Sequence, residues 1–471
     1  MSLVNQAQTK RLVAVHGWSG TVLGLVLYVV VLTGTIAVFA LEIGQWSASA
    51  ARSDAPLIAG LDDKLRELSE TLDAAYLEEV TLFTNSGGQP VVFFHEHDKN
   101  AEGQLEDKGV RFHLDPKSLE VVSRHEGFFS ELPRDAEGAL DEFIVNLHVN
   151  LHAPRPWGLY ATGLLGFIML AAAVSGIIMH KHLLRDMFTA PRWSNLVLHR
   201  YDRHILAGSW SLPFAFVVAF TGVFFSFAGS IGLPVVAMVA FGGDQEAMIE
   251  SILGTQGEED ATPAPLSDLD AMIADSQSRA GYPAESLTIM HWGRADADVL
   301  VGHGPNDASL AGVVHRYEGD TGDFLGRKPI IGSSPSVGSA VVSLIGPLHF
   351  GSFGGLISKF IWCALGIAAC YVTLTGLQLW VQRREEQAAW RWMGRAILVV
   401  GYGTPLALIG AGIAFFITLH GGQSHFWTAT GFLTLAGASI VAGVVAGAGN
   451  GLVIPLSVER VVGGGDMELA G

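Results

Sequence analysis

Six long apolar runs dominate this chain, near residues 18–41, 158–179, 207–229, 356–381, 396–418 and 427–449. Each is long enough to cross about 30 Å of hydrocarbon as a helix. A backbone in lipid must satisfy its own hydrogen bonds, so runs of this length leave few choices besides a bundle of spanning helices. Composition agrees: 49% of the residues are hydrophobic and 15% are charged, against about 25% charged in an ordinary soluble domain. The first run is too long for the apolar core of a cleaved signal, and no small-residue cleavage site precedes a mature start. It is therefore read as a span, and the expected fold is a polytopic α-helical membrane protein with six transmembrane helices.

Loop charges orient the spans. Lys10 and Arg11 precede the first, Lys181, Arg185, Arg192, Arg200 and Arg203 follow the second, and Arg383, Arg384, Arg391 and Arg395 follow the fourth. If six helices alternate, these stretches share one side, which is then cytoplasmic, as are both termini. The long loops at 42–145 and 230–348 fall outside, with net charges of about −13 and −11. They hold the acid excess of a chain whose net charge is −17. No basic footprint exists for nucleic acid.

The chain also repeats itself. His16 is followed 17 residues on by Thr33-Gly34, and His204 is followed 17 residues on by Thr221-Gly222. His148 precedes Ser175-Gly176 by 27 residues, and His349 precedes Thr375-Gly376 by 26. The unit is a helix with a histidine at its cytoplasmic start, an external module, and a helix with a histidine at its external end. It occurs twice, and the last two spans form an appended hairpin. Each external loop opens with a helix-like stretch, Leu61 to Tyr76 and Leu266 to Ala280. Each continues as strand, turn, strand, at Phe112 to Val122 and Val314 to Leu325, so a small α+β module is expected in each.

Histidine is costly in hydrocarbon, and four in phase across two halves point to function. Neutral imidazole is a strong ligand for haem iron, and opposed imidazoles make a six-coordinate b-type centre. His16, His180 and His204 lie towards the cytoplasm, whereas His148, His152 and His349 lie outward; His152 is expected to share a helical face with His148. Two haem b groups, one near each face, are expected: His16 or His180 with His204, and His148 or His152 with His349. Covalent haem is excluded, because Cys-x-x-Cys-His is absent and Cys363 and Cys370 stand alone in one apolar run. His95-Glu-His97 offers two imidazoles on one strand face but no third ligand in sequence, and reads as an exposed strand. His113, His125, His291, His303 and His315 are expected at the surface, and no nucleotide-binding glycine motif occurs.

Several stretches follow one another over about residues 10–385: His16-Gly-Trp-Ser-Gly20, Leu32-Thr-Gly34 with Glu42 and Trp46, and Leu147-His-Val-Asn-Leu-His152. Then come Ser175-Gly-Ile-Ile-Met-His-Lys181 with Asp186-Met-Phe-Thr189, Asp202-Arg-His204 with Leu212-Pro-Phe214, Leu348-His-Phe-Gly351 and Thr375-Gly-Leu-Gln-Leu-Trp380. In them the chain resembles the PepSY-associated transmembrane-helix family, whose members are also called iron-regulated membrane proteins. The resemblance implies a bacterial inner-membrane protein with PepSY-like periplasmic modules. Some members are haem-binding reductases of ferric siderophores. His16, His148, His180, His204 and His349 are the positions it carries over as ligands, with a quinol or cytoplasmic reductase as donor.

The implied organisation is a first transmembrane helix at 1–41, PepSY-like domain 1 at 42–147 and a second helix at 148–182. A basic cytoplasmic loop at 183–203 leads to a third helix at 204–229, PepSY-like domain 2 at 230–347 and a fourth helix at 348–382. A cytoplasmic loop at 383–395, the C-terminal hairpin at 396–450 and a cytoplasmic tail at 451–471 complete it. The hairpin lies outside the four-helix core of the family. A rival function is a membrane-anchored binding or regulatory protein acting on a periplasmic peptidase or sensor, since PepSY modules are linked to peptidase inhibition. A proton-coupled transporter ranks last, because Lys359 is the only clear charge within a span.

Overall fold

The computed structural model describes residues 6–47, 57–85, 88–101, 105–180, 182–193, 196–244, 247–248, 259–305, 310, 312–329 and 337–448. The tail expected at 451–471 and Lys181 lie outside them.

The first half opens with α1 (Gln6–Val22), α2 (Gly24–Ala37) and α3 (Ala40–Ser47). The first apolar run is thus not one straight helix. Leu23 leaves helical geometry (φ −122°, ψ 11°), and the chain bends there by 65°. The bend brings Gly24 against Leu377, where an added Cβ would fall 2.9 Å from Cδ2. After α4 (Leu61–Ser69) come β1 (Glu79–Thr84), β2 (Pro90–Lys99), β3 (Leu105–Leu114) and β4 (Val121–Phe128), then α5 (Ala139–Asn150) and α6 (Trp157–Met179).

A short turn of helix, α7 (Leu183–Asp186), leads to the second half: α8 (Leu196–Phe227), α9 (Leu233–Ala240) and α10 (Leu269–Ala280). Strands β5 (Ser286–Met290), β6 (Asp298–His303), β7 (Val313–Glu318) and β8 (Phe324–Lys328) follow. Then come α11 (Val337–Phe350) and α12 (Gly355–Gln382), and the hairpin α13 (Ala388–Thr418) and α14 (Ser424–Ala448).

Among the described residues, five helical segments are long and apolar enough to cross a membrane, or six if the bent α1–α2 pair is one span. The chain is therefore a multi-pass membrane protein whose outer helix surfaces face lipid. The third span runs further than the sequence suggested, over Val197–Ala240, because the apolar run resumes at Leu233 after a π-helical turn. The second and fourth spans start at Trp157 and Gly355, where their apolar runs begin, rather than at 148 and 348 where the implied domain bounds put them. His148 and His349 instead end the separate short helices α5 and α11. Left-handed Leu151 and His152 (both φ 54°) stop α5, and Gly351 (φ 68°) follows α11.

The two external modules are not separate bodies. They join edge to edge in one eight-stranded antiparallel sheet, ordered β4-β3-β2-β1-β5-β6-β7-β8. The halves meet where β1 pairs with β5, with Val80 opposite Ile289 and Leu82 opposite Leu287. Alternation in both strands sends these residues to one face, where α4 and α10 lie across them. Leu61, Leu65, Leu269 and Met272 from the helices share one core with Val92, Phe94, Val299 and Val301. Each such side chain contributes roughly 1.5–3 kcal/mol on full burial, so the shared core stabilises the two halves together. Arg66 ties them further, donating to the carbonyls of Leu266 (3.0 Å) and Ser267 (3.1 Å) while held by Asp62.

Four histidines expected at exposed positions are buried: His95 (4% exposed), His113 (6%), His303 (3%) and His315 (1%). Ser276 explains two of them, since its hydroxyl lies 2.7 Å from His303 Nε2 and 2.8 Å from His315 Nδ1. A buried imidazole is tolerated once its polar atoms are paired.

Candidate functional site: two facing histidine pairs

The helices bring four of the predicted histidines together in two pairs. His16 on α1 faces His204 on α8, with ring centroids 6.4 Å apart and planes at 83°. His148 on α5 faces His349 on α11, at 6.1 Å and 37°. The pairs sit at opposite ends of the bundle. His204 lies near the start of α8, while His349 touches Thr221 on the same helix. Those two positions are 17 residues apart, about 26 Å of helix.

Each ring is seated by a helix other than its own, and each seat is one of the repeated Ser/Thr-Gly dipeptides. His16 Nδ1 lies 2.9 Å from the Ala172 carbonyl and 3.2 Å from Ser175 Oγ on α6. His204 Nδ1 lies 3.1 Å from Thr375 Oγ1 on α12. His349 Nδ1 lies 2.8 Å from Thr221 Oγ1 on α8. His148 departs from the pattern in one detail: its Nδ1 meets the Val30 carbonyl, at 2.8 Å, rather than the Thr33 hydroxyl.

These partners set the tautomer. A carbonyl only accepts. The hydroxyl protons of Thr375, Thr221 and Ser175 are already donated to the carbonyls of Tyr371 (2.7 Å), Val217 (2.7 Å) and Ala171 (2.6 Å). Each hydroxyl oxygen is then an acceptor for an Nδ1–H. The proton sits on Nδ1 and the Nε2 lone pair is left free, the state in which imidazole binds a metal.

The glycines of the same dipeptides make room for the rings. A Cβ added at Gly34 would fall 2.6 Å from His148 Cε1, and one at Gly376 would fall 3.1 Å from His204 Cε1. At Gly222 and Gly176 the corresponding distances to His349 and His16 are 3.4 and 3.6 Å.

Both pairs fit a bis-imidazole iron centre. Bonds of about 2 Å from one iron to a nitrogen of each ring place the centroids about 6 Å apart, close to both observed separations. The donor set is two imidazoles on apolar helices, one of the ligand sets that haem iron accepts. Phe225 flanks the His349 ring at 5.4 Å.

The other predicted positions lie elsewhere. His180 closes α6 with its Nε2 3.9 Å from Asp186 Oδ2. His152 does not share a helical face with His148, because α5 has ended; its ring packs on Phe143, with centroids 4.4 Å apart. Lys359 is paired with Glu42 at 2.6 Å, linking α12 to α3. Cys363 and Cys370 are free thiols. The roles of Ser175, Thr221 and Thr375 as seats were not assigned from sequence, although their in-phase recurrence was the signal.

A model of the PepSY-associated transmembrane region matches residues 13–383. An uncharacterised protein of Pseudomonas aeruginosa is 30% identical over 263 residues, which cover 53% of this chain. The match spans 64% of that relative's length, less than two thirds. The chain belongs to the PepSY-associated transmembrane family, and the hairpin α13–α14 lies beyond the matched region.

Proposed function

We propose that this member of the PepSY-associated transmembrane family is an inner-membrane electron-transfer protein with two haem b groups. It reduces a ferric siderophore, or another ferric complex, on the periplasmic side. The observation that carries the reading is a single arrangement used twice: two facing imidazoles, at 6.4 and 6.1 Å, each with Nδ1 engaged by a neighbouring helix.

Haem b at such a pair supplies a reversible one-electron centre. The chain's own residues do the rest. His16, His204, His148 and His349 would hold the haem iron. Ser175, Thr375, Thr221 and the Ala172 and Val30 carbonyls fix the ring orientations and keep the imidazoles electron-rich. Apolar helices exclude water from the pairs, which tunes their potential through the local dielectric. The His148–His349 pair lies at the end of the bundle nearest the acidic sheet, where a periplasmic iron complex arrives. The His16–His204 pair lies among the basic loops, within reach of a quinol or a cytoplasmic reductase. Reduction releases the iron, because hard oxygen chelators hold Fe(III) more tightly than Fe(II).

The test uses the purified full chain, a quinol analogue, a ferric siderophore and a ferrous-specific colour reagent. Ferrous iron should form with the wild type and be lost in His349→Ala and His204→Ala. Equal rates in the wild type and both variants would overturn the proposal.

A further inference from the structure

Glu79, His95, His97 and Asp107 lie together on the sheet face turned away from α4 and α10. Parity places them there: Val80, Phe94 and Val110 point into the core, so 79, 95, 97 and 107 point the other way. Register completes the arrangement. Glu79 on β1 stands opposite His95 on β2, and Asp107 on β3 stands opposite His97. Three strands therefore deliver two imidazoles and two carboxylates to one patch.

The atoms converge. Glu79 Oε2 lies 3.9 Å from His95 Nε2 and 3.7 Å from His97 Nε2. Ligand atoms around a tetrahedral ion with bonds of about 2.1 Å are about 3.4 Å apart, a few tenths of an ångström less than each of these two distances. The other nitrogens are taken by orienting groups. His97 Nδ1 lies 2.8 Å from Asp107 Oδ1, and His95 Nδ1 lies 3.3 Å from the Phe93 carbonyl. His95 also stacks on Phe93, at 4.6 Å between centroids and 11° between planes. A ligating histidine whose second nitrogen is held by a carboxylate or carbonyl is the usual construction of a metal site. Ligand atoms of His95, His97 and Asp107 also lie within 4.8 Å of one another.

We propose that this face of the sheet binds one divalent transition-metal ion through His95 Nε2, His97 Nε2 and Glu79 Oε2, with Asp107 positioning His97. The nitrogen-rich set favours Zn²⁺ and Cu²⁺ over Mn²⁺. His95 is 4% exposed, whereas His97 is 45% exposed on its side chain. The site therefore has a rigid wall and an open side, which leaves the ion one exchangeable position. It is remote in sequence and element from the paired histidines and does not depend on the electron-transfer reading.

The test is calorimetric titration of the detergent-solubilised full chain, pretreated with chelator, with Zn²⁺ alone. One ion per chain should bind. His97→Ala and Glu79→Gln should each weaken binding about tenfold or more, and Asp107→Asn about tenfold. His125→Ala, a sheet histidine outside the patch, should bind as the wild type does. Because His97 is exposed, its removal leaves the fold intact, which the sheet's far-ultraviolet circular dichroism checks. Absence of stoichiometric Zn²⁺, or unchanged affinity in His97→Ala, would overturn the proposal.

Discussion

Replacing Gly34 by alanine adds one methyl group where the His148 ring lies. The new Cβ would fall 2.6 Å from Cε1 and 2.8 Å from Nδ1, about 1 Å inside ordinary carbon–carbon contact. The ring must retreat by about that much, which breaks its 2.8 Å hydrogen bond to the Val30 carbonyl and shifts it relative to His349. Overpacking of this kind costs about 1–3 kcal/mol, or about 5- to 150-fold in affinity for whatever the pair holds. Gly176→Ala is the matched control. Its Cβ would sit 3.6 Å from His16 Cε1, an ordinary contact, so the ring need not move. Both variants should be purified and their haem counted by the reduced-minus-oxidised absorbance difference. Gly34→Ala should lose haem from one of two centres, and Gly176→Ala should keep both. Equal haem content and equal spectra in the two would refute the seating argument.

Three further outcomes follow from the same structure. Thr375→Val removes the hydroxyl that His204 Nδ1 meets at 3.1 Å while keeping side-chain shape, which loosens the seat of that ring; in a redox titration one haem potential should shift, the other should hold, and Thr375→Ser should restore the first. Burial holds His303 and His315 below the ordinary imidazole pKa, and His303 further disfavours a proton on His315. The unfolded chain then takes up protons near pH 6.5 that the folded sheet refuses, so stability is full above that pH and falls below it; hydrogen-exchange protection of β6 and β7, taken relative to the intrinsic rate at each pH, should fall from pH 7.5 to 5.5, and rates that track only the intrinsic pH dependence would contradict this. The acidic loops, at about −13 and −11, should favour cationic or neutral iron complexes over anionic ones at low salt, an advantage that fades as the Debye length shrinks; reduction rates blind to complex charge would count against it.

Much of this architecture was legible from residues alone, and the parts that were not share a cause. Apolar runs mark spans because lipid demands them, and the recurring histidines marked both pairs. Breaks in the helices were missed although Gly24 follows Leu23 and Pro154 and Pro156 follow Leu151, because glycine and proline are also common inside membrane helices. That second break also undid the expectation for His152, whose i+4 spacing from His148 means nothing once left-handed geometry ends the helix. The spacing from His16 to Thr33-Gly34 reflects the duplication rather than a contact. Thr33-Gly34 seats His148 and Ser175-Gly176 seats His16, pairings made by helix packing and invisible along one helix. The joining of two modules into one sheet depends on β1 meeting β5 across about two hundred residues. Alternation names the buried face of each strand but not its neighbour. His303 and His315 were misplaced for the same reason: Ser276, which satisfies both, comes from α10.

The central claim is that His16 with His204, and His148 with His349, each hold one haem b. The most direct measurement is haem per chain in the purified protein by pyridine haemochrome, repeated on His204→Ala and His349→Ala. The account predicts about two b-type haems per wild-type chain and about one in each variant. A wild-type chain without dithionite-reducible haem, or two haems retained in both variants, would contradict it.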